Sequence, residues 1–240
     1  MISDSPVYYN SEMANHYAEY RPLLHVDIIG YFFRDVAPFN RGLDIGCGVG
    51  HSSIALSNFC VDIDAIDCSQ DMLEHTIPQD EIRYQLGGVN PLPFEDRIFD
   101  VVTLAGSLPY IKSQSLVDEL LRVTQLRRTI MIYDFDISLA AIFEALSLEI
   151  KPTDYQYDTN FQGLITDPIS LQDVLEDQLY IEVSAANLVH LLLSTHEGII
   201  AAKYKYDIDS TDALVAIVKD KIGDITQLAV KRYAALYRHA

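Results

Sequence analysis

The sequence predicts an α/β protein with a mostly parallel β-sheet and helices on both faces of that sheet. As far as Asp136, short apolar segments of strand length alternate with segments of helical periodicity. This alternation is the pattern of a parallel sheet whose crossover helices cover both faces. A glycine-rich turn at residues 46–50 follows the first strand. In such sheets ligands bind at the carboxyl ends of the strands.

Each element of the first half has its own signal. Strands are predicted where apolar and β-branched residues concentrate, at residues 42–45, 61–67, 82–86, 99–104 and 129–135. Helices are predicted where apolar residues recur every three or four positions, at residues 12–33 with a break at Pro22, 51–58, 69–75 and 113–126. Ser69 suits the N-cap of its helix because its hydroxyl can accept a bond from a backbone N–H.

The second half carries weaker signals. Helices are predicted over residues 139–148, 188–194 and 211–222. Residues 228–238 predict a final strand or a pair of strands. We therefore expect an antiparallel hairpin that closes the sheet and a small lid inserted between strands five and seven.

The charge of the chain limits its partners. The 240 residues include 17 Lys and Arg against 35 Asp and Glu, which gives a formal net charge of −18. Proteins that bind nucleic acids use cationic side chains to displace counterions, and an anionic membrane surface repels an acidic protein. The sequence predicts no nucleic-acid partner and no membrane partner. A small molecule that is neutral or cationic suits this chain better.

The cysteines and the first residues of the chain bear on its expected location in the cell. Cys47, Cys60 and Cys68 are odd in number and scattered, which favours reduced thiols in the cytoplasm. The beginning of the chain lacks the basic and apolar regions of a secretory signal peptide. No spacing of Cys and His is typical of a zinc site, so no metal is expected.

The spacing of the glycines separates several kinds of nucleotide site. A dinucleotide fold needs Gly-x-Gly-x-x-Gly, but the position of its third glycine is His51. The third glycine is Gly50, which gives Gly-x-Gly-x-Gly. A phosphate-binding loop needs Gly-Lys-Ser or Gly-Lys-Thr, and neither pair occurs. The glycines place bare backbone at the start of a helix, where a ligand can approach closely.

Four motifs in order resemble those of the class I S-adenosylmethionine-dependent methyltransferases. Residues 43–50, Leu-Asp-Ile-Gly-Cys-Gly-Val-Gly, match the first motif of that family without a gap. Asp67 matches the acidic position of the second motif, with its usual continuation to Leu73. Residues 92–94, Leu-Pro-Phe, and the pair Phe99-Asp100 resemble the third and fourth motifs. We expect Asp100 itself to be structural rather than catalytic.

The resemblance covers residues 14–136 and implies a Rossmann-like sheet of seven strands. It implies one methyltransferase domain over residues 1–240. Its parts are cofactor-covering N-terminal helices at 1–38, a cofactor-binding core at 39–136, a lid or insert at 137–206, and a C-terminal helix and closing strand at 207–240. The cofactor is S-adenosylmethionine. The residues that the resemblance assigns to cofactor binding are Tyr17, Arg21, Asp44, Gly46, Cys47, Gly48, Asp67, Cys68, Met72, Gly88, Val89 and Ala105.

Several of these residues have an expected role. Asp67 would accept hydrogen bonds from the ribose hydroxyls, and the N–H of Val89 would meet the adenine ring. The carbonyl of Ala105 would hold the cofactor ammonium. Arg21 would pair with the methionine carboxylate, and Tyr17 would close the pocket. The family carries an acid where this chain has Gly88, so adenine recognition and cofactor affinity are expected to be weaker.

The methyl acceptor is not specified by any motif. The Asn/Asp-Pro-Pro-Tyr motif of DNA and protein-glutamine methylases is absent, which argues against methylation of a nucleobase nitrogen. The resemblance therefore implies transfer of a methyl group to an unidentified small molecule by direct in-line displacement. The general base stays open, with Tyr110 and His196 as candidates. His51 and His190 show no partner in the sequence.

The same residues leave other functions open. A protein that binds S-adenosylmethionine as a sensor or scaffold, without transferase activity, is the main alternative. A nicotinamide oxidoreductase is disfavoured by His51. An RNA methylase is disfavoured because this composition can hardly supply a basic face. Monomer and dimer are both open.

Overall fold

The computed structural model describes residues 16, 24–148, 160–195, 198–199, 205–206 and 210–239. The strands are β1 (Phe39–Ile45), β2 (Cys60–Asp67), β3 (Ile82–Leu86), β4 (Phe99–Ala105), β5 (Thr124–Ile137), β6 (Ile169–Ser184) and β7 (Ile225–His239). The helices are α1 (Leu24–Phe33), α2 (His51–Leu56), α3 (Gln70–Leu73), α4 (Leu108–Ile111), α5 (Gln114–Val123), α6 (Ala140–Ala145), α7 (Ala185–Leu193) and α8 (Thr211–Lys221).

The strands form one seven-stranded sheet in the order β3-β2-β1-β4-β5-β7-β6. The pairs from β3 to β5 are parallel. Strand β7 is antiparallel to both of its neighbours, β5 and β6. The predicted fold class, a mostly parallel sheet closed by antiparallel strands, is confirmed.

Two apolar cores lie on opposite faces of the sheet. Successive side chains of β5 alternate between the faces, as expected for a strand. Tyr133 lies in the core that contains Ile28 of α1. Ile132 lies in the core that contains Leu116 of α5. The helices therefore cover both faces, as the sequence predicted.

A third core holds the C-terminal helices against the end of the sheet. It joins Ile142 of α6, Leu188 of α7 and Leu214 of α8 to Val183 and Leu228 of the last two strands. Ser184 accepts a hydrogen bond from the N–H of Asn187 and so caps α7. The predicted helices near 139–148, 188–194 and 211–222 are present with slightly different bounds.

Strand β6 corrects the prediction for the lid. Residues 169–184, which lie inside the expected insert at 137–206, pair with β7 along their whole length. The sequence concealed this strand because most of its exposed positions are polar or acidic and its bulge between Leu171 and Asp173 breaks the alternation. Only a few positions, such as Leu175 and Val183, carry the apolar side chains that pack against the core.

Helix α5 ends earlier than predicted, because a strand begins directly after it. Helix α5 ends at Val123 rather than at residue 126. Thr124 adopts an extended backbone and pairs with Phe99 to begin β5. β-Branched residues favour strand over helix, and two of them, Val123 and Thr124, stand at this boundary.

No helix among the described residues is long and apolar enough to cross a membrane.

Asp100 ties β4 to β1 below the site. Its Oδ2 accepts hydrogen bonds from the backbone N–H groups of Asn40 (2.9 Å) and Arg41 (3.2 Å). Its Oδ1 lies 3.3 Å from Nε of Arg128. The side chain is almost wholly buried. The structure therefore gives Asp100 the structural role that the sequence predicted.

We expect Asp100→Ala to lower the free energy of unfolding by about 1–3 kcal/mol, because two backbone N–H groups lose a buried, charged acceptor. Urea denaturation measures this loss. The control is Asp96→Ala, which removes an exposed carboxylate paired with Arg122 and should cost about 0–1 kcal/mol. Equal losses in the two variants would contradict the structural role of Asp100.

Candidate functional site

The candidate site lies at the carboxyl edge of the parallel strands. Strands β1 to β4 run in the same direction, so their last residues meet at one edge. These residues are Ile45, Asp67, Leu86 and Ala105. The structure thus brings together the glycine turn, Asp67, the segment after β3 and Ala105, which are far apart in the sequence.

The glycine turn is bonded to the end of β2. The N–H groups of Gly46 and Cys47 both donate to the carbonyl of Ile66, at 2.8 and 3.1 Å. The N–H of Gly48 donates to Oδ2 of Asp67 at 2.8 Å. Gly46, Gly48 and Gly50 have φ values of +74°, +55° and +91°, a region that side chains other than glycine rarely adopt.

The turn after β4 presses against the glycine turn. A Cβ atom at Gly46 would lie 2.4 Å from Cβ of Ser107. The hydroxyl of Ser107 donates to the carbonyl of Ile45 at 2.7 Å. Glycine is required at position 46 both for its φ and for this contact. The glycine turn is therefore held on one side by β2 and on the other by the turn that begins α4.

Asp67 is held in place and keeps capacity for a ligand. Its Oδ1 accepts from the N–H of Ser69 at 2.8 Å, and its Oδ2 accepts from Gly48. A carboxylate has about four acceptor positions, so each oxygen can accept a further bond. The side chain is half-buried. This arrangement can accept the two hydroxyls of a ribose.

Asp44 is turned into the protein. It is fully buried, and its carboxylate accepts from the hydroxyls of Ser52 (2.5 Å), Ser53 (2.7 Å) and Thr103 (2.9 Å). Burial raises the pKa of Asp44, and these three hydrogen bonds partly offset the shift. Asp44 was predicted to belong to the cofactor-binding residues. In the structure it supports the glycine turn from within the protein, since it joins β1, α2 and β4.

The side of the site near β3 is open. Gly88 is exposed, and no atom lies within 4 Å of the position that a Cβ would take there. Val89 is half-buried and Cys68 is exposed. Met72 is buried, and its Cε lies 3.2 Å from the position of a Cβ on Gly48. Met72 thus supports the glycine turn from below.

The other predicted residues differ in how far the structure places them. Cys47 is buried, and burial raises the pKa of its thiol, so the thiol stays uncharged. Ala105 is half-buried at the end of β4, and Tyr110 is 63% exposed on α4. Tyr17, Arg21 and His196 lie outside the described residues. Among the described residues, no group of three or more His, Cys, Asp and Glu side chains could hold a metal ion.

The structure shows contacts of His190, Ser107 and Tyr84 that join distant parts of the chain. Nδ1 of His190 on α7 lies 3.0 Å from Nδ1 of His16, a partner that the sequence could not show. Ser107 and Tyr84 were missed by sequence reasoning. The hydroxyl of Tyr84 would lie 2.4 Å from a Cβ at Gly50, so Tyr84 closes the underside of the turn. The only signal for Ser107 was its place directly after the strand and Gly106.

Comparisons with known proteins relate the segment that contains this site to methyltransferases. Residues 43–130 match the family model described as a methyltransferase domain. An uncharacterized methyltransferase, YcgJ of Bacillus subtilis, is 28% identical over 111 residues, 43% of each chain. A demethylmenaquinone methyltransferase of Clavibacter sepedonicus is 27% identical over 187 residues, 69% of this chain and 76% of its own. The chain thus spans less than half of the first relative and about three quarters of the second.

A solved structure supports the fold over a longer stretch. It is a protein of Anaeromyxobacter dehalogenans assigned as a type II methyltransferase. The TM-score is 0.61 at 15% identity, with 91% of this chain and 97% of that chain covered. At this identity the likeness shows the shared fold, including the antiparallel strands at the end of the sheet.

We expect Gly46→Ala to destabilise the protein by about 3 kcal/mol or more, because backbone strain adds to a clash with Ser107. The control is Gly163→Ala at a φ of +86° with nothing within 4 Å, which should cost about 1–2 kcal/mol from strain alone. Chemical denaturation of both variants measures the difference.

The clash can be separated from the strain. In a Ser107→Gly background, Gly46→Ala should cost at least about 1 kcal/mol less than in the wild type. An unchanged cost would show that the contact between the two turns does not explain the glycine.

Proposed function

We propose that this member of the class I S-adenosylmethionine-dependent methyltransferases transfers the methyl group of S-adenosylmethionine to a small molecule. The observation that carries the proposal is the joined unit of glycine turn and Asp67, linked by the hydrogen bond from Gly48 to the carboxylate. This unit stands at the carboxyl edge of the sheet, and it lies within the segment that matches a methyltransferase domain.

The residues at the carboxyl edge of the sheet suit different parts of this cofactor, in chain order from β2 to β4. Asp67 on β2 would accept the ribose hydroxyls, since each of its oxygens keeps an acceptor position. The N–H of Val89 after β3 would meet the adenine ring. The carbonyl of Ala105 on β4 would receive the ammonium group. Arg21 and Tyr17 are proposed to complete the pocket on the methionine side.

The main requirement that this reaction places on the protein is alignment of the acceptor with the methyl group. When bound, S-adenosylmethionine supplies a methyl group that its sulfonium charge already activates. The protein then has to hold the acceptor in line with that methyl group and to exclude water. Alignment of this kind can contribute about 7–11 kcal/mol to lowering the barrier.

A small-molecule acceptor is supported by charge and by similarity. The net charge of −18 disfavours nucleic acid. One relative is a demethylmenaquinone methyltransferase, an enzyme with a small-molecule substrate by its name. We propose that this chain also acts on a small molecule.

The alternative is a protein that binds the cofactor without transferring its methyl group. Gly88 is the observation that favours it, because the acid that the family places there is missing. Formation of S-adenosylhomocysteine that depends on an added acceptor distinguishes the two. Tight cofactor binding without such turnover, over a broad panel of acceptors, would favour the sensor or scaffold.

We expect Asp67→Asn to weaken binding of S-adenosylhomocysteine about 10- to 150-fold, since hydrogen bonds to a charged group contribute about 1.5–3 kcal/mol. Isothermal titration calorimetry measures the dissociation constant. The control is Asp71→Asn, a nearby exposed carboxylate, which should leave the affinity within about twofold. An Asp67→Asn protein that stays folded and binds as tightly as the wild type would contradict the assignment.

We expect Gly88→Asp to tighten binding of S-adenosylhomocysteine about 2- to 12-fold, because it restores an acceptor for the adenine amino group. The open space around Gly88 leaves room for the side chain. Gly88→Ala adds a side chain without a carboxylate and serves as the control. If the two variants change the affinity equally, the missing acid does not explain cofactor recognition.

A further inference from the structure

A cavity lies beside the site, over the last two strands of the sheet. Its volume is about 560 Å³, within the range of about 300–1,000 Å³ that small-molecule pockets occupy. Residues 160–166 form one wall, and β6 and β7 form the other. Phe161 and Tyr237 belong to the core on the face of the sheet that α5 covers, so the cavity opens on that face.

The lining of the cavity favours a flat, uncharged molecule. The wall includes the apolar side chains Phe161, Leu164 and Val174, and the aromatic rings of Tyr233 and Tyr237. Among the described residues that line it, none carries a positive charge and Glu176 carries a negative one. A phosphate or carboxylate group on the ligand would therefore find no counter-charge. An aromatic ring system suits the walls.

Asp134 connects this cavity to the methyl-donor side. On β5 it stands directly opposite Tyr233 of β7, and residues that face each other in antiparallel strands share one side of the sheet. All three atoms of its carboxyl group lie within 3.3–3.7 Å of the position that a Cβ would take on Gly106. The carboxyl group therefore lies over the turn that follows Ala105.

The order of the strands places the proposed cofactor residues, Asp134 and the cavity in one line across the sheet. Asp67 is on β2, Ala105 on β4, Asp134 on β5, and the cavity on β7 and β6. If the cofactor lies across β2, β1 and β4, its acceptor must approach from the side of β5. Asp134 is the carboxylate of β5 that lies between the turn after β4 and Tyr233 of the cavity wall.

We propose that the cavity holds the body of a neutral hydroxyaromatic acceptor and that Asp134 is its general base. This inference rests on the proposed function. The acceptor hydroxyl gives its proton to the Asp134 carboxylate. The oxygen forms the new bond to the methyl carbon, the carbon–sulfur bond breaks, and its electron pair stays on sulfur. The products are the methyl ether, S-adenosylhomocysteine and the proton on Asp134.

Binding tests the cavity without relying on turnover. We expect 1-naphthol to bind the wild-type protein saturated with S-adenosylhomocysteine, as measured by calorimetry. Val174→Trp, which places a large ring at the cavity wall, should weaken this binding at least tenfold. The control is Val61→Trp, a valine of similar exposure (60% against 56%) on β2, which should leave it unchanged.

The outcomes separate this inference from the proposed function. A wild-type protein that binds S-adenosylhomocysteine but not 1-naphthol overturns the inference alone. Equal loss in the two tryptophan variants overturns the placement of the acceptor. A wild-type protein that binds no S-adenosylhomocysteine contradicts the proposed function instead.

Turnover of two acceptors tests the role of Asp134. We expect Asp134→Asn to lower kcat with 1-naphthol about 10²- to 10⁴-fold, as for loss of a general base. With 4-nitro-1-naphthol, whose hydroxyl is ionised at neutral pH, the loss should be less than tenfold. The affinity for S-adenosylhomocysteine should stay within threefold. Asp118→Asn, at an exposed site on α5, is the matched control.

A structural role would give a different result. If Asp134→Asn slowed both acceptors equally, or weakened the binding of S-adenosylhomocysteine more than tenfold, the base role would be wrong.

Discussion

The bonds between the glycine turn and the end of β2 are the constraint on which the site depends. The carbonyl of Ile66 receives two N–H groups of the turn, and Asp67 receives a third from Gly48. Because the next residue of β2 is the one proposed to hold the ribose, the same bonds that shape the turn also aim Asp67. Ser107 presses on the turn from the other side, so the shape of the glycine turn is fixed by β2 and by the turn after β4 together.

The polar groups below the turn explain why this shape can be held in an apolar sheet. Asp44 is a buried acid at the end of β1, and three hydroxyls from α2 and β4 satisfy it. An unsatisfied carboxylate at this depth would be costly. Asp100 is a second buried acid, and it accepts hydrogen bonds from two backbone N–H groups at the beginning of β1. The buried acids Asp44 and Asp100 thus hold the strands that form the carboxyl edge of the sheet. The half-buried Asp67 keeps acceptor positions for a ligand.

The sequence predicted the first half of the fold and less of the second. Strands β1 to β4 and their turns carry local signals, such as the glycines and the N-cap Ser69, that act within a few residues. Strand β6 was missed because its identity depends on pairing with β7 and not on its own alternation. For the site, Asp67 followed from a motif, whereas the contact of Ser107 with Gly46 joins distant segments and has no local signal. The position of Asp134 opposite Tyr233 is known only from the order of the strands in the sheet.

The most direct test of this cofactor site is a crystal structure of the protein with S-adenosylhomocysteine. We expect both ribose hydroxyls within hydrogen-bond distance of the Asp67 carboxylate, and the amino group of the ligand at the carbonyl of Ala105. Density for the ligand elsewhere on the protein, or at this edge with its ribose away from Asp67, would contradict the central claim.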